Sequence, residues 1–180
     1  MTLEELTRFL YEHGPTWVKE QAASVMASGS ALTEPLQAHL RLFFGTDAAR
    51  TRLTTAEITN PPFYAELLQR GADPRDLLQF VANDAVTFES GILLDRGASL
   101  THEILFHELV HVVQYRLLGV DEFVRRYVDG WMAGRDRFLD DPQRRYEYVP
   151  LERMAFSLQA VYARDHTVVF SVEGAVRDRL

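Results

Sequence analysis

Apolar residues surround most of one helical stretch, THEILFHELVHVVQYRLLG, between Thr101 and Gly119. Ile104, Leu105, Phe106, Leu109, Val110, Val112, Val113, Leu117 and Leu118 leave it no continuous polar face, so the pattern predicts a helix buried inside the domain. Ser99 or Thr101 is its N-cap and Gly119 its end. Upstream, Thr2 caps a helix running to about His13, where Gly14-Pro15 breaks it, and a second segment spans Thr16 to Met26. After the loose stretch Ala27 to Ser30, a third helix starts at Thr33 with Pro35 in its first turn. It carries Leu36, Leu40 and Phe43 on one face and stops at Gly45.

Between these helices the period shortens. Arg52 to Thr59 alternates weakly as a short strand, ended by Asn60-Pro61-Pro62. Phe63 to Arg70 reads as a short helix closed by Gly71, and Pro74 opens another over Arg75 to Val81. Ala85 to Phe88 and Ile92 to Leu94 flank the turn Glu89-Ser90-Gly91 as a β-hairpin. Beyond Gly119, Asp121 caps a helix striped with Phe123, Val124, Tyr127, Val128 and Trp131. A polar loop with Gly134 and Pro142 follows, then a helix from Pro150 through Leu151, Met154, Ala155, Leu158 and Tyr162. Thr167 to Val172 is β-branched and reads as a terminal strand. The expected architecture is α+β and mostly helical, a single domain over residues 1–180. Residues 1–50 form a helical packing region, 51–165 the core with its small hairpin, and 166–180 a tail or terminal strand.

Composition narrows the function. With 47% hydrophobic and 25% charged residues the chain is ordinarily globular. A net charge of −7 argues against nucleic acid as a partner. The start, MTLEELTRFL, is acidic and apolar only at helical spacing, unlike a secretory signal, and no stretch approaches a membrane span, so a cytoplasmic location is expected. The chain has no cysteine, so any metal must be held by histidines and carboxylates.

Those residue types converge in His107-Glu108-Leu109-Val110-His111. Histidines four apart on a helix are turned by about 40° and displaced by about 6 Å, so both reach one ion. Glu108 lies beside that ion, placed to take a proton from a water the metal polarises and to pass it on. This geometry makes HExxH a signature of zinc hydrolases. The bland alternative is a set of hydrogen-bonded core histidines with Glu108 paired to an arginine such as Arg145. A third histidine six residues after the second is missing, because position 117 is Leu117, and Gln114 stands where that longer motif has glycine. A carboxylate from another helix is then required, and Glu147 and Glu152 are the candidates. Glu152 is favoured: it sits in the first turn of the Pro150 helix, and Ala155 lets that helix come close. Glu147 is expected in a loop. Gln114 and Tyr115 are candidates to orient a ligand or line the cleft, and Tyr146 and Tyr148 to donate to an oxyanion. His13, His39, His102 and His166 show no partner pattern, and Arg144-Arg145 reads as a solvated loop.

HELVHVVQY, then F…RRY…GW, then YEYVPLERMAF, resembles gluzincin-type metallopeptidase domains, and bacterial families with H-E-L-x-H-x-x-Q-Y and a downstream P-L-E-x-x-A. The similarity spans about residues 52–163. It implies one zinc held by His107, His111 and Glu152, with Glu108 as general base and a peptide or protein as substrate. It also implies that the strand before the motif helix, matched by Ile92 to Leu94, pairs with an extended peptide. Related sequences often carry a second acidic residue near position 154, where this chain has Met154. Zinc-dependent peptide hydrolysis is the leading expectation. A zincin-fold module that keeps the zinc but cleaves nothing, regulatory or toxin-associated, is the alternative.

Overall fold

In the computed structural model, which describes residues 1–180, Thr2 opens the first helix through a reciprocal cap. Its hydroxyl accepts from the Glu5 amide at 3.2 Å and the Glu5 carboxylate accepts from the Thr2 amide at 2.7 Å. The helix, α1 (Leu3–Ser28), does not break at Gly14-Pro15 but runs through both. An interior proline costs roughly 3 kcal/mol. Here Pro15 is buried with Trp17, Val18, Ala22 and Val25, and that burial offsets the lost hydrogen bond. Gly14 permits a close helix crossing: a Cβ there would lie 2.9 Å from a Val124 methyl group.

The chain continues through β1 (Ser30–Ala31), α2 (Glu34–Phe44), α3 (Asp47–Arg50), β2 (Arg52–Thr55) and α4 (Tyr64–Gln69). The helix expected over Arg75 to Val81 is replaced by two 3-10 turns, Pro74–Asp76 and Phe80–Ala82. The carbonyls that would propagate it are taken: Arg75 accepts from the Arg145 guanidinium and Asp76 from the Trp131 indole, each at 2.8 Å. The hairpin forms as β3 (Ala85–Phe88) and β4 (Gly91–Leu94). Then come α5 (His102–Leu118), capped by the Thr101 hydroxyl, and α6 (Val120–Ala133). Gly119, at φ +75°, both ends α5 and starts α6, so Asp121 is in the first turn and caps nothing. The expected Arg/Asp loop holds α7 (Arg135–Phe138) and α8 (Pro142–Tyr148), the latter capped by Asp141. Proline opens α9 (Pro150–Arg164). Thr167 to Val172 is not a strand: it has no neighbouring strand, Val168 and Val169 stay exposed, and Ser171 caps α10 (Val172–Arg177).

The fold is α+β, mostly helical, with one four-stranded sheet of order β1-β2-β4-β3. β2 and β4 are parallel; the other pairs are antiparallel. β4 is therefore central, flanked in the sheet by β2 and β3 and buried along its whole length. The expectation that Ile92 to Leu94 pairs with an extended peptide, which needs an exposed sheet edge, is overturned, and β3 is the outer strand on that side. Alternation along the strands divides the core. Ala85, Ile92 and Leu94 pack with Leu105 and Leu109 of α5. Phe88 and Leu93 pack with Trp17, Val18 and Val25 of α1. The two long helices thus cover opposite faces of the sheet. No helix is long and apolar enough to cross a membrane.

Candidate metal centre

One turn of α5 brings His107 and His111 onto the same side, facing α9. Ala155 is fully buried between these helices, and its small side chain lets Glu152 reach both rings. The donors converge tightly. His107 Nε2 and His111 Nε2 are 3.1 Å apart, and Glu152 Oε2 lies 3.1 Å from the first and 3.3 Å from the second. A tetrahedral zinc with bonds of about 2.0–2.1 Å needs donors separated by about 3.3 Å. These three buried residues could hold a metal ion, and their spacing fits that requirement.

Groups behind the donors orient them. His107 Nδ1 donates to Gln159 Oε1 at 3.0 Å and His111 Nδ1 to Gln114 Oε1 at 2.8 Å, which points each Nε2 toward the shared point. Gln114 in turn donates to the Leu151 carbonyl at 3.0 Å, tying α5 to the start of α9. The Tyr127 hydroxyl donates to Glu152 Oε1 at 2.9 Å, leaving Oε2 for the histidines. Burial disfavours charge on Glu152, but the two imidazoles outweigh burial and hold the carboxyl well below the usual carboxylate range. Burial likewise opposes charge on His111, yet the Glu152 carboxylate raises its pKa to about 9. Burial, with the Glu152 charge beside them, pushes the Tyr127 and Tyr146 hydroxyls well up, so both are protonated donors.

Glu108 stands outside the donor set. Its Oε2 accepts from the Thr87 hydroxyl at 2.6 Å, and Thr87 belongs to the outer strand β3. Glu108, His111 and Glu152 line one cavity together with Tyr115, Tyr127 and Tyr146.

The chain, compared with protein-family models, curated proteins and solved structures, matches none.

Several sequence candidates fall elsewhere. Glu147 is not in a loop but on α8, exposed and accepting from Gln143 at 2.9 Å, away from the histidines. Arg145 neither pairs with Glu108 nor sits in a solvated loop. It is fully buried, stacked over the Trp131 ring at 4.1 Å and bonded to the Trp131 and Arg75 carbonyls. Tyr148 packs on Phe138, whereas Tyr115, stacked on Phe123, does line the cavity. His13 and His102 are exposed, while His39 bonds the Tyr162 hydroxyl with the exposed His166 nearby. Sequence reasoning missed Thr87, Tyr127 and Gln159. The available signal was a polar atom interrupting an apolar stripe: Thr87 in AVTF, and Tyr127 on the inner face of α6.

Proposed function

We propose that this protein is a zinc-dependent metallopeptidase whose metal is held by His107, His111 and Glu152. The observation that carries the reading is Glu108, a buried carboxylate outside the donor set, bonded to Thr87 and lining the same cavity as His111 and Glu152. A site that only stabilised a fold has no use for that group. Bound zinc would supply Lewis acidity, polarising the scissile carbonyl and acidifying water. The chain's own part is then proton handling. Glu108 accepts the proton of the attacking water and returns it to the departing amine nitrogen, while Thr87 keeps its carboxylate in place. Tyr146 is a protonated donor on the same cavity wall, suited to a developing negative charge, while the single proton of Tyr127 stays on Glu152.

The outer strand supports a peptide as substrate. The Asp95 amide donates to the Asp84 carbonyl at 2.8 Å, which sets the alternation of the β3–β4 ladder. Val86 and Phe88 turn their amides and carbonyls to β4, and Ala85 and Thr87 turn theirs outward, where they bond to no other part of the chain. Both residues line the cavity, so an extended peptide there would find a ladder to join. The deciding experiment measures zinc content and peptide hydrolysis together. One zinc per chain, lost in His111→Ala, is expected. Hydrolysis should fall at least about a hundredfold in Glu108→Gln with the zinc retained. Zinc bound without any peptide cleavage would leave a metal-holding binding module in its place.

A further inference from the structure

We infer that the cavity beside the metal centre is a specificity pocket for a large, uncharged apolar side chain next to the scissile bond of a peptide. The inference rests on the peptidase reading and goes beyond it by naming which peptides fit. The cavity opens to solvent, and 17 of its 25 lining residues are hydrophobic. Trp17 forms an aromatic wall with Phe80 and Phe88, ring centroids 4.9 and 5.2 Å away. That wall comes from α1, the Phe80–Ala82 turn and β3, outside the helices that carry the metal ligands.

Charge decides the chemistry of the occupant. No lysine or arginine lines the cavity, so away from the metal centre no cationic side chain would neutralise an acidic side chain or a terminal carboxylate. Its three carboxylates are all engaged: Asp76 with Arg135 at 2.7 Å, Glu108 with Thr87, and Glu152 with the two histidines. Against the wall of Trp17, Phe80 and Phe88, an incoming lysine or glutamate side chain would be stripped of water with no partner in exchange, whereas a leucine or phenylalanine loses nothing by leaving water. The outward backbone groups of Ala85 and Thr87 in the same wall favour a peptide over a free apolar molecule.

Both tryptophans of the chain, Trp17 and Trp131, line this cavity, so intrinsic fluorescence reports its occupancy directly. The test uses zinc-loaded Glu108→Gln, which binds without turnover, titrated with acetyl-Ala-X-Ala-amide peptides in which X is Leu, Phe, Ala, Glu or Lys. The Leu and Phe peptides should shift the emission and bind at least about tenfold more tightly than the Ala peptide, and the Glu and Lys peptides no better than Ala. Filling the pocket with Val86→Phe or, independently, Val128→Phe should erase the Leu/Ala difference while zinc content and circular dichroism stay unchanged. Binding without apolar preference, or a preference that survives in both folded variants, overturns the pocket and leaves the peptidase reading intact. No binding of any peptide overturns both.

Discussion

A hydroxyl on a β-strand sets the position of the one carboxylate in the centre that bonds to no histidine. Thr87 donates to Glu108 at 2.6 Å, and both are buried, so Thr87→Val leaves that carboxylate oxygen without its donor. The variant should keep its zinc and lose roughly tenfold in kcat with KM little changed, and Thr87→Ser should recover most of the loss. Equal kcat in Thr87→Val and wild type would show that Glu108 needs no such guide. Gln114 acts differently, since it orients His111 and holds the start of α9. Gln114→Ala is expected to weaken zinc binding by about 10- to 100-fold, read by competition with a chelator. The sequence exposes these residues unequally. His107, Glu108 and His111 are legible because helical geometry relates positions four apart wherever the helix lies. Glu152 is legible through its place after Pro150 and beside Ala155. Thr87 and Gln159 act across 21 and 52 residues of chain, through a strand register and a helix rotation that no local pattern encodes.

Among the elements, α1 and α8 depart furthest from local propensity, and tertiary packing explains both. Gly14-Pro15 is a stop signal on its own, but α1 continues because its buried face is anchored on α6 and on the sheet. Gly14→Ala should therefore destabilise the protein by about 1 kcal/mol. The gain in helix propensity, up to about 1 kcal/mol, is smaller than the strain of pressing a methyl group against the stiff Val124 side chain. Adding Val124→Ala should make the second change cost less than it does alone, a coupling that a denaturant double-mutant cycle measures. In α8, Arg145 closes the gap between the Pro74–Asp76 turn and α6, which no reading of an Arg-rich tract anticipates because arginine is almost never fully buried. Replacing it with methionine keeps the bulk but orphans the buried Trp131 carbonyl and the half-buried Arg75 carbonyl, and urea denaturation should report a loss of roughly 2–4 kcal/mol. The hairpin, α5 and α9 were legible because pattern, cap and packing agree there. The sheet order was not, although the unbroken apolar run Ile92-Leu93-Leu94 is what a central strand buried on both faces requires.

At the scale of the whole molecule, the apolar core draws on none of the three metal-donor residues. Buried clusters join α5 to α2, α9 and α10, and α1 to the sheet and α6, and no buried side-chain polar atom lacks a partner. The histidines and Glu152 satisfy one another while aligned for an ion. Zinc should therefore add stability to a fold that already stands, unlike small metal-dependent domains that unfold without it. An ion that binds only the native state at about a thousand times its dissociation constant contributes roughly 4 kcal/mol. For a chain of this length that raises Tm by about 8–16 °C. Scanning calorimetry should show this rise on adding zinc to metal-free wild-type protein, its reversal by a chelator, and its absence in His111→Ala. The chelated protein should still melt in one cooperative transition with unchanged circular dichroism at room temperature. Collapse on chelation would mean that the ion, not the apolar clusters, holds α5 against α9. An identical Tm with and without zinc in the wild type would remove the metal from the account altogether.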